Sequence, residues 1–117
     1  MLFRIVQAFT LMAIAGMLLS DAAYADAPYV GKWAAADLSC KDESIELEDR
    51  ALHGAENLCR FVKIDVNDKR RYWVKATCRG EGLPEEARSF VIDVINADAI
   101  VMTYANGRPI LYRRCPR

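Results

Sequence analysis

The side chains able to do chemistry are few and scattered. There are four cysteines, Cys40, Cys59, Cys78 and Cys115, and one histidine, His53. Thiolates serve as nucleophiles, redox centres or metal ligands. None of the four has the C-x-x-C spacing of thiol oxidoreductases and zinc knuckles, so neither chemistry is expected. His53 has no second histidine with which to share a metal. Nor does it have a serine or free thiol arranged around it as a triad requires, and it is expected as a solvent-facing turn residue. Glu81, Glu85 and Glu86 supply carboxylates, but in one loop rather than on the opposing walls that glycosidase chemistry uses. Gly80-x-Gly82 lacks the strand-to-helix setting of a phosphate-binding loop. No catalytic residue, no metal ligand and no cofactor is expected, and the chain reads as a non-enzyme.

The cysteines point instead to a compartment. Arg4 precedes an apolar run over residues 5–19, and Ala23-Tyr24-Ala25 is an A-x-A cleavage site before Asp26. The run is shorter than the roughly 20 residues a membrane span needs. Residues 1–25 therefore read as a signal peptide and residues 26–117 as a single exported domain, periplasmic or secreted and not integral to the membrane. Cleavage would remove one basic residue, Arg4, and one acidic residue, Asp21, from a chain of zero formal net charge, so the remainder is neutral too. An even number of cysteines in an exported chain reads as two disulfides.

Elements rich in alternation must hold these cysteines. Residues 58–79 read as a hairpin, LCRFVKIDVNDKRRYWVKATCR, broken at Asn67-Asp68-Lys69-Arg70. With Asp68-Lys69 as the loop, Cys59 faces Cys78, Phe61 faces Ala76 and Ile64 faces Trp73. Opposed Cβ atoms lie about 4.5–5.5 Å apart, close to what a disulfide needs. Arg60, Lys63, Lys69, Arg70, Arg71, Lys75 and Arg79 make this hairpin basic, and Tyr72 and Trp73 could stack on bases. Neutral net charge and interleaved Asp65 and Asp68 favour a solvated strand face, so no nucleic-acid partner is expected.

Tyr29 to Ala34 reads as the first strand. The acidic stretch 37–49 holds Ser44-Ile45-Glu46-Leu47-Glu48, an alternating segment expected at an exposed sheet edge with Ile45 and Leu47 inward. Residues 51–53 read as a short strand, and residues 80–86, GEGLPEE, as a loop. Residues 89–95 read as a strand with Phe90, Ile92 and Val94 inward. Residues 100–104 and 109–115 flank Asn106-Gly107, expected as a type I′ turn. The whole is an all-β, antiparallel meander of seven or eight strands, expected to close into a small barrel. A barrel this small is expected to fill with side chains and leave little cavity. A seven-strand count puts Cys40 and Cys115 at one end and Cys59 and Cys78 at the other, favouring Cys40–Cys115 with Cys59–Cys78. If residues 44–54 form two strands the ends exchange, and Cys40–Cys59 with Cys78–Cys115 competes.

Gly31-x-Trp33 resembles the Gly-x-Trp that opens the first strand of lipocalin-type barrels. That likeness implies a tryptophan packed on a basic side chain from the last strand, here Arg113 or Arg114. The run Gly31-Lys32-Trp33-Ala34, Cys40, Cys59, residues 73–82 and Tyr112-Arg113-Arg114-Cys115 resembles a family of small exported alphaproteobacterial proteins of uncharacterised function. It implies an exported, disulfide-bonded β domain and no particular activity. In architecture the chain is also similar to periplasmic inhibitors of c-type lysozyme, although it lacks their S-G-x-x-Y segment. These readings make the chain a binding module for a protein or cell-envelope component. The preferred contact is the loop with Gly80, Glu81, Gly82, Glu85 and Glu86, whose acids could enter a cationic cleft. A carrier of a small apolar ligand is the alternative.

Overall fold

The computed structural model describes residues 27–116, so the signal-peptide assignment for residues 1–25 lies outside the described residues. Eight strands form in chain order: β1 (Gly31–Ala35), β2 (Ile45–Glu48), β3 (Ala51–His53), β4 (Asn57–Asn67), β5 (Arg71–Gly80), β6 (Glu86–Asn96), β7 (Ala99–Tyr104) and β8 (Pro109–Arg114). Each pairs antiparallel with the next, and β1 pairs with β8, closing the barrel. Among the described residues no helix is long and apolar enough to cross a membrane.

Alternation explains which side chains fill the interior. Trp33, Leu47, Leu52, Tyr72, Val74, Ala76, Phe90, Ile92, Ile100, Met102 and Tyr112 point inward and are buried. β2 therefore places Ile45 and Leu47 as expected, but it is no edge, since it is paired on both flanks.

The β4–β5 hairpin departs from a simple two-residue register. Cys59 faces Cys78 and Phe61 faces Ala76 as expected. Between Phe61 and Lys63 the register then shifts, so Ile64 faces Val74 rather than Trp73. Val62 is the extra residue, 62 % exposed. The bulge inverts the inward parity: Cys59 and Phe61 are buried before it, while Ile64 turns to the core after it. At the tip, Asp68 (φ 54°) and Lys69 (φ 60°) both adopt left-handed conformations, and Arg70 N donates to Asn67 O at 3.2 Å. The Asn106-Gly107 turn differs from expectation. Only Gly107 is left-handed (φ 84°), and its N–H donates to Tyr104 O at 2.8 Å. That is a type I turn closed by a left-handed glycine, not type I′.

The disulfides are Cys40–Cys115 and Cys59–Cys78. The nested pairing holds, though the seven-strand premise behind it does not. Residues 44–54 do form two strands, so the β1–β2 connection that carries Cys40 leaves β1 at the end where Cys59–Cys78 lies. Cys115 lies just past β8, with its N–H donating to Lys32 O. The connection after β1 therefore folds back along the wall to reach it. In the chain-entropy view the two bonds, separated by 75 and 19 residues, contribute about 4 and about 3 kcal/mol. Two such bonds fit an oxidising compartment.

Candidate functional site

The two ends of the barrel are unlike. One end carries the β2–β3, β4–β5 and β6–β7 turns and is plugged by the lead-in residues 27–30. Tyr29 is buried there, edge-on to Tyr72 with ring centres 4.9 Å apart, and its hydroxyl donates to Asp49 O at 2.7 Å. Burial and the nearby Asp49 carboxylate push the Tyr29 hydroxyl up to about 12. Arg114 locks this plug. Its guanidinium stacks 4.3 Å from the Trp33 ring centre and donates to Val30 O, Pro28 O and Ala97 O. The stacking partner is thus Arg114; Arg113 instead donates to Ala36 O. Gly31 (φ 146°) is required by the same contact, because a Cβ there would collide with the Arg114 guanidinium.

The other end is open. A cup of about 1190 Å³ lies between the β1–β2, β3–β4 and β7–β8 connections and the start of β6. The barrel interior is filled with side chains as expected, and the space lies at its mouth. Small residues stand at inward positions near this end: Ala35, Cys59 and Cys78 all line the cup. The floor is nevertheless packed. Trp33 is wholly buried and Phe90 only 5 % exposed, so the space is a cup over a solid core rather than a tunnel. The Phe61, Phe90 and Tyr104 rings follow one another toward it, with centres 5.6 and 5.9 Å apart.

The wall is mostly apolar: Leu38, Ile45, Leu52, Phe90, Ile110, Tyr104 and Tyr112. Its deep polar feature is the Tyr104–Tyr112 hydroxyl pair, 3.2 Å apart, with Tyr104 Oη also 3.7 Å from Met102 Sδ. Burial first, then the hydrogen bond with Tyr112, raises the Tyr104 hydroxyl far above the ordinary tyrosine range. Around the rim stand Glu43, Glu56 and Arg88. Arg88 faces Ala76 across the ladder and so lies on the inward face, where it bonds Glu86 at 2.6 Å. The Cys59–Cys78 bond also lines the cup, so it stands inside the barrel rather than merely at its end.

The residues singled out from sequence lie mostly elsewhere. Gly80 ends β5 opposite Asn57, and Glu86 opens β6 opposite Cys78, so the loop itself is residues 81–85. Gly82 is left-handed (φ 74°), and Leu83 is 67 % exposed. Glu85 approaches Arg79 at 4.0 Å and Glu86 bonds Arg88, so both carboxylates are matched with arginines. None of Gly80, Glu81, Gly82, Glu85 or Glu86 lines the cup. His53 ends β3 instead of sitting in a turn, with Nε2 3.1 Å from Glu48. Among the described residues no group of three potential metal ligands gathers. On the basic hairpin, Lys63, Arg71 and Arg79 face Asp65, Asp93 and Glu85. Sequence reasoning missed Ala35, Arg88, Tyr104 and Tyr112. The available signal was their inward parity combined with small neighbours on the facing strands. No family model, no curated protein and no solved structure matches the chain.

Proposed function

We propose that the protein is a non-catalytic, exported binding module that takes a small, largely apolar molecule in the cup, with the molecule's polar end at the rim. The observation that carries this is the cup itself. Its volume is somewhat above the range of small-molecule sites, about 300–1,000 Å³, and its wall is mainly apolar with charged side chains at the rim. The Tyr104–Tyr112 hydroxyl pair suits an uncharged donor or acceptor on the ligand, and among the described residues Arg88 is the cation that lines the cup. A protein or envelope partner held by loop 81–85 is the second reading, favoured by exposed Leu83 in a loop that also carries Glu81 and Glu85. A lysozyme-inhibitor-like role belongs to that reading.

The test is displacement of an environment-sensitive apolar dye by long-chain alcohols and acids. Ala35 faces Tyr112 on the inward side and lines the cup, so Ala35→Trp should fill it. Saturable dye binding that Ala35→Trp abolishes supports the carrier reading. Absence of dye binding, together with lysozyme inhibition that is lost in Leu83→Asp, would transfer the function to the loop.

A further inference from the structure

β4 is longer than the strand before it. Its first residues pair on both sides: Leu58, Cys59 and Arg60 with β3, then Phe61 N with Arg50 O. Beyond Phe61 it pairs with β5 alone, and among the described residues no backbone group bonds the other flank of residues 62–67. Six residues at about 3.3 Å each leave about 20 Å of open strand edge in a barrel that is otherwise closed on this side. Such an edge is a template for another strand.

The edge reads Val62-Lys63-Ile64-Asp65-Val66, with a valine at each end and opposite charges on either side of Ile64. Val62 and Val66 are 62 % and 54 % exposed, unusually high for valine. Lys63 and Asp65 lie on one face, 3.8 Å apart, with both side chains mostly exposed. We propose that two copies of this chain join here, β4 against β4, antiparallel about a two-fold axis through Ile64. That register sets each Lys63 opposite Asp65 of the second copy, and each Val62 opposite Val66 of the second copy. Opposite charges directly across a ladder favour pairing, and like charges oppose it.

A bulge and a lysine are also the devices by which proteins blunt an edge. They differ here in one respect. A lysine alone repels its own image across a two-fold axis, whereas a lysine two residues before an aspartate meets the opposite charge. The two-fold requirement is met by identical surfaces on both partners.

Sedimentation equilibrium on the purified protein tests this with a charge exchange. The wild type should show a concentration-dependent dimer. Lys63→Asp sets aspartate against Asp65 in both symmetric pairs and should weaken association by roughly tenfold or more. Lys63→Asp combined with Asp65→Lys restores complementarity and should restore the dimer. Both side chains are exposed, so circular dichroism should show the barrel intact in each variant. A wild type that stays monomeric at millimolar concentration overturns the proposal. So does a dimer that Lys63→Asp leaves unchanged, or a single-variant loss that the exchange does not repair.

Discussion

The Arg114 guanidinium lies 4.3 Å above the Trp33 ring while its nitrogens reach Val30 O, Pro28 O and Ala97 O. One side chain thus ties the last strand, the first strand, the lead-in and the β6–β7 turn. A cation over an indole is worth about 0.5–2 kcal/mol and a hydrogen bond from a charged group about 1.5–3 kcal/mol, with incomplete additivity. Arg114→Ala should cost about 3 kcal/mol in denaturant unfolding, and Arg114→Lys most of that, since a lysine cannot fork between carbonyls. Equal stability of the lysine variant and the wild type would show that the fork is idle.

The hairpin tip carries a local cost that can be relieved. Asp68 and Lys69 both hold left-handed backbone, which costs a non-glycine residue about 1 kcal/mol. Replacing Asp68-Lys69 by Asn-Gly supplies the pair that such turns prefer. The double variant should gain about 1 kcal/mol in the same unfolding measurement. A loss would mean that Lys69 makes a contact the backbone conformation conceals.

Alkaline pH should unfold the barrel through its buried tyrosines. Burial raises Tyr29 from 10.0 to about 12, and Tyr104 is raised further by burial and Tyr112. The folded state then holds these protons after the unfolded state has released them, so unfolding is coupled to proton release. Their contribution is intact below pH 10 and falls as pH rises toward 12. Thermal midpoints should be insensitive to these two groups below pH 10 and decline above it. Tyr29→Phe should flatten part of the decline, and tyrosinate absorbance should appear with unfolding rather than before it.

The two disulfides should separate by what they govern. Cys59→Ala with Cys78→Ala should cost about 3 kcal/mol, and Cys40→Ala with Cys115→Ala about 4 kcal/mol. Because Cys59–Cys78 lines the cup, only its removal should change dye affinity in protein that is still folded. Equal effects of both pairs on dye binding would remove the disulfide from the site.

Much of this architecture was legible in period-two patterning. Phe90 and Ile92 on β6 and the Cys59–Cys78 facing pair follow from alternation. Cys40–Cys115 does not, because eight strands put the connection that carries Cys40 at the other end from Cys115, and only its fold-back brings the two together. The bulge at Val62 was not legible, because a valine between Phe61 and Lys63 fits either face until the neighbouring strands fix the parity. Acidic alternation points to β2 as the open edge, but the edge lies on β4, because only relative strand lengths decide where pairing stops. The cup was hidden for a related reason. Ala35, Cys59 and Cys78 are far apart in the chain, and they line one cup only once the ring closes.

The seam between β1 and β8 has a consequence for assembly in time. The ribosome delivers β1 long before β8 and Cys115, so the first strand waits with one flank and its tryptophan uncovered. The β4–β5 hairpin has no such wait, since its contacts are local and form early. Closing the ring at β1 and β8 therefore carries a larger loop-closure entropy than forming the hairpin. The Cys40–Cys115 bond, its ends 75 residues apart in the chain, fastens that late-meeting pair of chain segments.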